Sequence, residues 1–200
     1  MKKEVMDSYN KIAKLYDTKT NKSNMSEEYD YIISKFLKLT KDGSILDVGC
    51  GGSPFTSENT NTVGIDFSIG QLNQCSNKTT PLIQADMTKL PIQTNSFNSL
   101  VALYSLIHIP EDSKLTVLNE FKRVVKNEGY ILIVEGSTEW KGENSNWLDS
   151  DSTMKWDMAG PDKTEKQLVQ IGFEICEKIN VHSSLGDGDC KTFFLAKNYK

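Results

Sequence analysis

Five apolar runs limit most strongly what this chain can fold into: SILDVGC (44–50), NTVGIDF (61–67), PLIQADM (81–87), FNSLVALYSL (97–106) and GYILIVEG (129–136). Each holds an unbroken core of four to six residues and closes near a polar or small residue. A strand with one wet face alternates, whereas a strand covered on both faces does not, and covering of both faces is the habit of parallel sheets. Helical patterns lie between several of the runs. Met25–Leu39 sets Tyr29, Ile32, Ile33, Phe36 and Leu37 on one face, and Asp112–Lys126 does the same with Leu115, Leu118, Phe121 and Val125. The alternation predicts a doubly wound α/β domain.

Beyond Gly136 the alternation breaks. Residues 137–162 show little periodicity yet hold all three tryptophans, Trp140, Trp147 and Trp156. Lys163–Ile171 then reads as a helix ended by Gly172. FEICEKINVHSS and CKTFFLAKN read as two closing strands around a turn at Gly186–Asp189, an antiparallel hairpin at the sheet edge.

Bulk properties exclude several classes. Net charge is −4, and the 23 basic residues include one arginine, Arg123. Readers of nucleic acid lean on basic patches and bidentate arginine, so nucleic acid is not the expected partner. Cys50, Cys75, Cys176 and Cys190 are scattered without a C-x-x-C pair, which argues against zinc and a disulfide framework, and no metal is expected. The apolar runs fall well short of the roughly 20 residues a membrane span needs. The first residues carry two lysines with no apolar stretch behind them, unlike a leader. A cytoplasmic location is the expectation.

The stretch ILDVGCGGSP (45–54) carries the chemistry. Glycines after a strand let the backbone approach a ligand and leave N–H groups free for it. A dinucleotide site prefers G-x-G-x-x-G, but here Pro54 holds the third-glycine position, and Asp47 would repel a pyrophosphate. That disfavours an NAD-linked oxidoreductase. Asp66, closing VGIDFS, lies 19 residues beyond Asp47, where a carboxylate can chelate ribose hydroxyls. Asp86 ends the third strand in QADMTKLP. A cationic ligand with a ribose and an adenine would satisfy all three acids.

In this order, ILDVGCG, VGIDFS, QADMTKLP, SFNSLVALYSLIHIP and the N-terminal SYNKIAKLYD resemble the class I S-adenosylmethionine-dependent methyltransferases of the small-molecule type. The resemblance runs from about Asp7 to Val134 and more loosely to the end. It implies a mostly parallel, seven-stranded Rossmann-like methyltransferase sheet with an antiparallel C-terminal edge hairpin. It also implies one domain over residues 1–200, with lid helices at about 1–40 and a cap-like insertion at about 137–162. By the same resemblance, Gly49, Cys50 and Gly51 meet the methionine part of S-adenosyl-L-methionine, with Asp47 nearby. Asp66 holds the ribose, Phe67 flanks the adenine, Asp86 accepts from its amino group and Met87 lies beside the ring. Tyr104 and Ser105 lie below the sulfonium, and Tyr9 and Tyr16 form the lid. Two departures stand out. Ser53-Pro54 and the short link to the next strand imply a stunted first helix, and Asn98 stands where relatives carry an acid.

His108 follows the fourth strand, where a base with pKa near neutrality could take a proton from an acceptor O–H or N–H; the other reading is a packing histidine. Trp147 and Trp156 either line an apolar acceptor pocket, with Met154 and Met158 beside them, or anchor a packed cover. His182, on a late edge strand, reads as structural. The expected partner is a small-molecule acceptor, with the protein a monomer or homodimer and no membrane or nucleic acid involved. Protein or nucleic-acid methylation and non-catalytic cofactor binding are the alternatives. Base-amino enzymes carry an Asn/Asp-Pro-Pro-aromatic loop, where this chain has Leu103-Tyr104-Ser105-Leu106.

Overall fold

A computed structural model describes residues 1–20, 26–41, 43–52, 55, 61–77, 79–182 and 190–199. Along the chain lie α1 (Lys2–Thr20), α2 (Glu27–Leu39), β1 (Ile45–Val48), β2 (Thr62–Asp66), α3 (Ile69–Leu72), β3 (Leu82–Gln84) and β4 (Phe97–Ala102). They are followed by α4 (Glu111–Val124), β5 (Val125–Gly136), β6 (Glu139–Asn144), β7 (Met154–Ala159), α5 (Pro161–Gln170), β8 (Phe173–His182) and β9 (Cys190–Asn198). Seven strands form one sheet in the order β3-β2-β1-β4-β5-β9-β8. The first five run parallel, and β9 runs antiparallel to both β5 and β8. This is the expected seven-stranded sheet with its antiparallel edge hairpin.

The strands are apolar throughout because both faces are covered. Leu46, Val48, Leu100, Ile131, Ile133, Phe194 and Ala196 face the side packed by Val117, Leu118 and Phe121 of α4 and Leu168 of α5. Their neighbours Ile45, Val101, Leu132, Val134, Phe193 and Leu195 face the other side, where Ile32 and Phe36 of α2 pack. Period-2 side chains thus feed two cores, each closed by helices.

Several sequence expectations change. Leu37, assigned to the buried face of α2, is 39 % exposed, because the stripe that meets the sheet is carried by Ile32 and Phe36 one turn apart. The helix expected over Asp112–Lys126 ends at Val124, and Val125 already belongs to β5. Its buried stripe is Lys114, Val117, Leu118, Phe121 and Val124, with Leu115 at the margin. Residues 137–162 are more regular than their pattern indicates: β6 and β7 pair antiparallel as a separate hairpin, with a 3₁₀ turn at Trp147–Asp149 between them. All of β6 is exposed or half-exposed, so no burial periodicity is written into it. Ser53-Pro54, most of the segment read as a stunted helix, and the turn at Gly186–Asp189 lie outside the described residues. Asn98 accepts at its amide oxygen from Ser44 N–H and Oγ and from Lys126 Nζ, which ties the start of β4 to the residue before β1. His182 ends β8 exposed to solvent.

Candidate active site at the carboxyl ends of β1 and β4

Strand order reverses between β1 and β4, so their following loops diverge to opposite faces and leave a crevice at the carboxyl edge. Gly49 (φ 77°) and Gly51 (φ 59°) both hold the left-handed conformation that glycine alone adopts without strain. Gly49 is also forced by space, since a Cβ there would come within 2.3 Å of Ser105 Cβ. Ser105 in turn donates from Oγ to the Val48 carbonyl at 3.0 Å, which ties the loop after β4 to the end of β1. The Asp66 carboxylate accepts from Gly51 N–H at 2.9 Å and from Ser68 N–H at 2.8 Å, bracing the glycine loop against the end of β2. Met87 lies beside Gly49, 3.7 Å from where a Cβ would be.

Charge is held under tension here. Burial, reinforced by the charge of Asp66, pushes the Asp47 carboxyl up to about 8. Its Oδ2 has no hydrogen-bond partner among the described residues. Burial raises Asp66 too, against the N–H groups that hold it down. Burial likewise raises the Cys50 thiol, which stays protonated. Asp86 differs. It is part-exposed and hydrogen-bonded to Lys2 of α1 and to Thr88, and those contacts outweigh its desolvation and lower its pKa.

Over the crevice, α1 and the β6–β7 hairpin form one cover. Ser8 Oγ donates to the Thr153 carbonyl at 2.6 Å, and Lys19 reaches Asp149 at 2.9 Å. Lys155 reaches Glu4 at 2.6 Å, and Lys11 pairs with Asp151. Inside the cover the aromatic rings converge. Tyr9 meets Tyr16 at 5.4 Å, His108 at 5.5 Å and Trp147 at 5.7 Å between ring centroids, edge to face each time. Trp147 and Trp156 lie 5.7 Å apart, and Trp156 lies 5.8 Å from His108. Burial raises the Tyr9 phenol well above its usual value and the Tyr16 phenol to about 12, so both stay neutral.

His108 is fixed on both ring nitrogens. Nδ1 lies 2.7 Å from the Lys155 carbonyl, which can only accept, so Nδ1 carries the proton. Nε2 is then the lone pair, and it accepts the Tyr9 hydroxyl at 3.0 Å. Burial pushes the imidazole down to about 4. This corrects the expectation of a near-neutral base: the ring is buried beneath α1 and the hairpin, and desolvation of the imidazolium outweighs the carbonyl's help.

The methyltransferase-domain family matches residues 46–133, which run from β1 through β5 and contain the glycine loop, Asp47, Asp66, Asp86 and His108. This segment is similar to the methyltransferase domains of the class I S-adenosylmethionine-dependent kind. An uncharacterized protein of Methanocaldococcus jannaschii is 31% identical over 110 residues, covering 54% of this chain and 47% of the relative. A demethylmenaquinone methyltransferase of Staphylococcus aureus is 27% identical over 150 residues, covering 68% of this chain and 61% of the relative. The chain thus spans about half to three-fifths of the length of these relatives. The crystal structure of an S-adenosylmethionine-dependent methyltransferase from Clostridium acetobutylicum superposes with a TM-score of 0.70 at 17% identity, covering 96% of this chain and 99% of that one.

S-adenosylmethionine is the cofactor of this methyltransferase family, and the residues here fit it. A cationic ligand would favour ionisation of the buried, half-partnered Asp47 carboxyl, and the two left-handed glycines keep the loop clear of side chains. The structure brings Asp47, Gly49, Cys50, Gly51, Asp66, Met87 and Ser105 together at the crevice. Phe67 follows Asp66 half-buried, with its carbonyl accepting from Gln84. Tyr104 takes a positive φ of 54° and turns its ring against Phe193, 6.0 Å away, on the α2 side of the sheet. Sequence reasoning missed Asn10 and the Lys155 carbonyl. Asn10 Oδ1 accepts from Ser68 Oγ at 2.7 Å and Gly70 N–H at 2.8 Å, latching α1 to α3. A clue lay in Gly70, where any Cβ would come within 2.8 Å of Asn10 Cα. No group of three or more potential metal ligands occurs among the described residues, and no described helix is long and apolar enough to cross a membrane.

Proposed function

We propose that the protein methylates a small molecule with an apolar, ring-bearing surface, held between the glycine loop and the aromatic cover. The observation that carries this reading is the convergence of Tyr9, Tyr16, Trp147 and Trp156 around His108. Such a lining suits an apolar acceptor steered by few polar groups. The demethylmenaquinone relative, by its name, also acts on a small molecule. The net charge of −4 with one arginine speaks against a nucleic-acid acceptor.

When bound, S-adenosylmethionine supplies an activated methyl. The chain's own work is then to hold the cofactor, aim the acceptor and exclude water, and positioning of that kind can supply about 7–11 kcal/mol of barrier reduction. Asp66 accepts from the ribose hydroxyls, Asp86 and Phe67 keep the adenine, and Tyr9 and Tyr16 close above. The acceptor's X–H proton passes to the Tyr9 oxygen as the Tyr9 proton passes to His108 Nε2. The imidazolium so formed is held by the Lys155 carbonyl at Nδ1.

A screen of small aromatic acceptors with a labelled methyl donor tests the reading. Label in any of them supports it, whereas label found only in nucleic acid or protein, or nowhere despite bound cofactor, overturns it. Two variants sharpen it. Asp66→Ala should weaken S-adenosylhomocysteine binding by about 1.5–3 kcal/mol, the value of a charged hydrogen-bond acceptor. Calorimetry giving parental affinity with an intact fold would remove Asp66 from the site. Trp147→Ala should raise the acceptor's KM by about tenfold, equivalent to about 1.4 kcal/mol, and leave cofactor affinity in place. A drop in melting temperature with an unchanged KM would make Trp147 a packing residue only.

A further inference from the structure

Gln71, in α3, is 2 % exposed, and neither Nε2 nor Oε1 of its side chain has a hydrogen-bond partner among the described residues. A primary amide so buried is costly, because it has left water for nothing in return. On packing grounds alone an unbranched apolar side chain of the same length would serve better. The position beside it, Leu72, is an apolar core residue.

The amide has not merely drifted there. Ser68 Oγ accepts from Gln71 N–H at 3.1 Å, and Asn10 holds both Ser68 and Gly70, so the backbone of Gln71 is anchored from two elements. Its Oε1 lies 3.7 Å from the position a Gly51 Cβ would take. Gly51 N–H is bonded to Asp66 Oδ2, and Ser68 N–H is bonded to the other oxygen of the same carboxylate. The orphaned amide therefore sits where the glycine loop, Asp66 and α3 meet.

We infer that Gln71 is a cofactor-contacting residue whose side-chain amide hydrogen-bonds the ribose of bound S-adenosylmethionine beside Asp66. A sugar hydroxyl donates and accepts at once, and so does a primary amide, so the pair satisfies both orphaned atoms where a carboxylate alone can only accept. The inference rests on the cofactor reading above and adds to it a residue outside the family's recognised motifs in this chain.

Gln71→Met, which keeps length and removes both polar atoms, separates this role from a structural one. Without ligand the variant should melt about 2–4 °C above the parent, because the buried amide is gone. Its affinity for S-adenosylhomocysteine by calorimetry should fall about tenfold. Gln71→Leu is the second variant and should show the same opposed pair of changes if Met fails to fold. Unchanged affinity in a folded variant overturns the inference. Failure of the parent itself to bind S-adenosylhomocysteine would instead overturn the cofactor reading, so the two failures are distinguishable.

Discussion

Lys114→Met is expected to destabilise the protein by about 3–5 kcal/mol, a large share of the about 5–15 kcal/mol that holds a domain folded. Lys114 of α4 and Glu135 of β5 form an ion pair 2.6 Å long with both side chains fully buried. Lys114 Nζ also donates to the Leu106 carbonyl at 2.9 Å, and Glu135 Oε1 accepts from Gly136 N–H at 2.8 Å. The pair therefore joins a helix, the central sheet and the turn that carries His108. Removing the lysine strands a carboxylate that burial already pushes upward. The double variant Lys114→Met/Glu135→Gln should recover much of the loss, since no charge is stranded and the amide oxygen can still accept from Gly136. Urea midpoints measure both. A single variant as stable as its parent, or a double variant no better than the single, would show that stranded charge is not the cause.

His108→Gln is expected to lower turnover by about 10²–10⁴ while cofactor binding stays nearly unchanged. The lower end is the expected one, because a base near 4 has little driving force to take a proton at neutral pH. The sign of the pH dependence follows from the depressed pKa. The imidazole is neutral and competent above about 4 and becomes charged and incompetent below it, so the acidic limb of the parent's rate profile should lie near pH 4. Between there and neutrality this group imposes no slope. A limb near neutral pH would assign it to another group, and a His108→Gln enzyme with parental turnover would leave the histidine a packing role. Tyr9→Phe should mimic part of the loss, because it removes the hydroxyl that bridges to Nε2.

Much of this site was legible in the chain because its signals are local. The glycines, Asp47, Asp66 and Asp86 each sit at the end of an apolar run, and a parallel sheet brings such ends to one edge whatever the rest of the chain does. Gln71 gave no local signal. A glutamine in a short helix ordinarily faces water, and here it is buried where Asn10, some 60 residues earlier, fastens α1 to α3 and the glycine loop comes close. Lys114 was equally hidden. On a helix pattern it reads as a solvated charge, and its burial depends on an acid 21 residues away in β5.

The sequence by itself determined the seven-stranded sheet, its two helix-covered faces and the glycine loop after β1. Continuous apolar strands can be buried only from both sides, and left-handed turns select glycine at each position independently. The tertiary structure alone decided the cover and the chemistry beneath it. Glu4 and Lys155 are 151 residues apart in sequence, as Tyr9 and His108 are 99 apart. Closing those distances buries His108, turns its lone pair to Tyr9 and carries its pKa to about 4, because desolvation depends on everything packed around a group and not on the residues beside it in the chain.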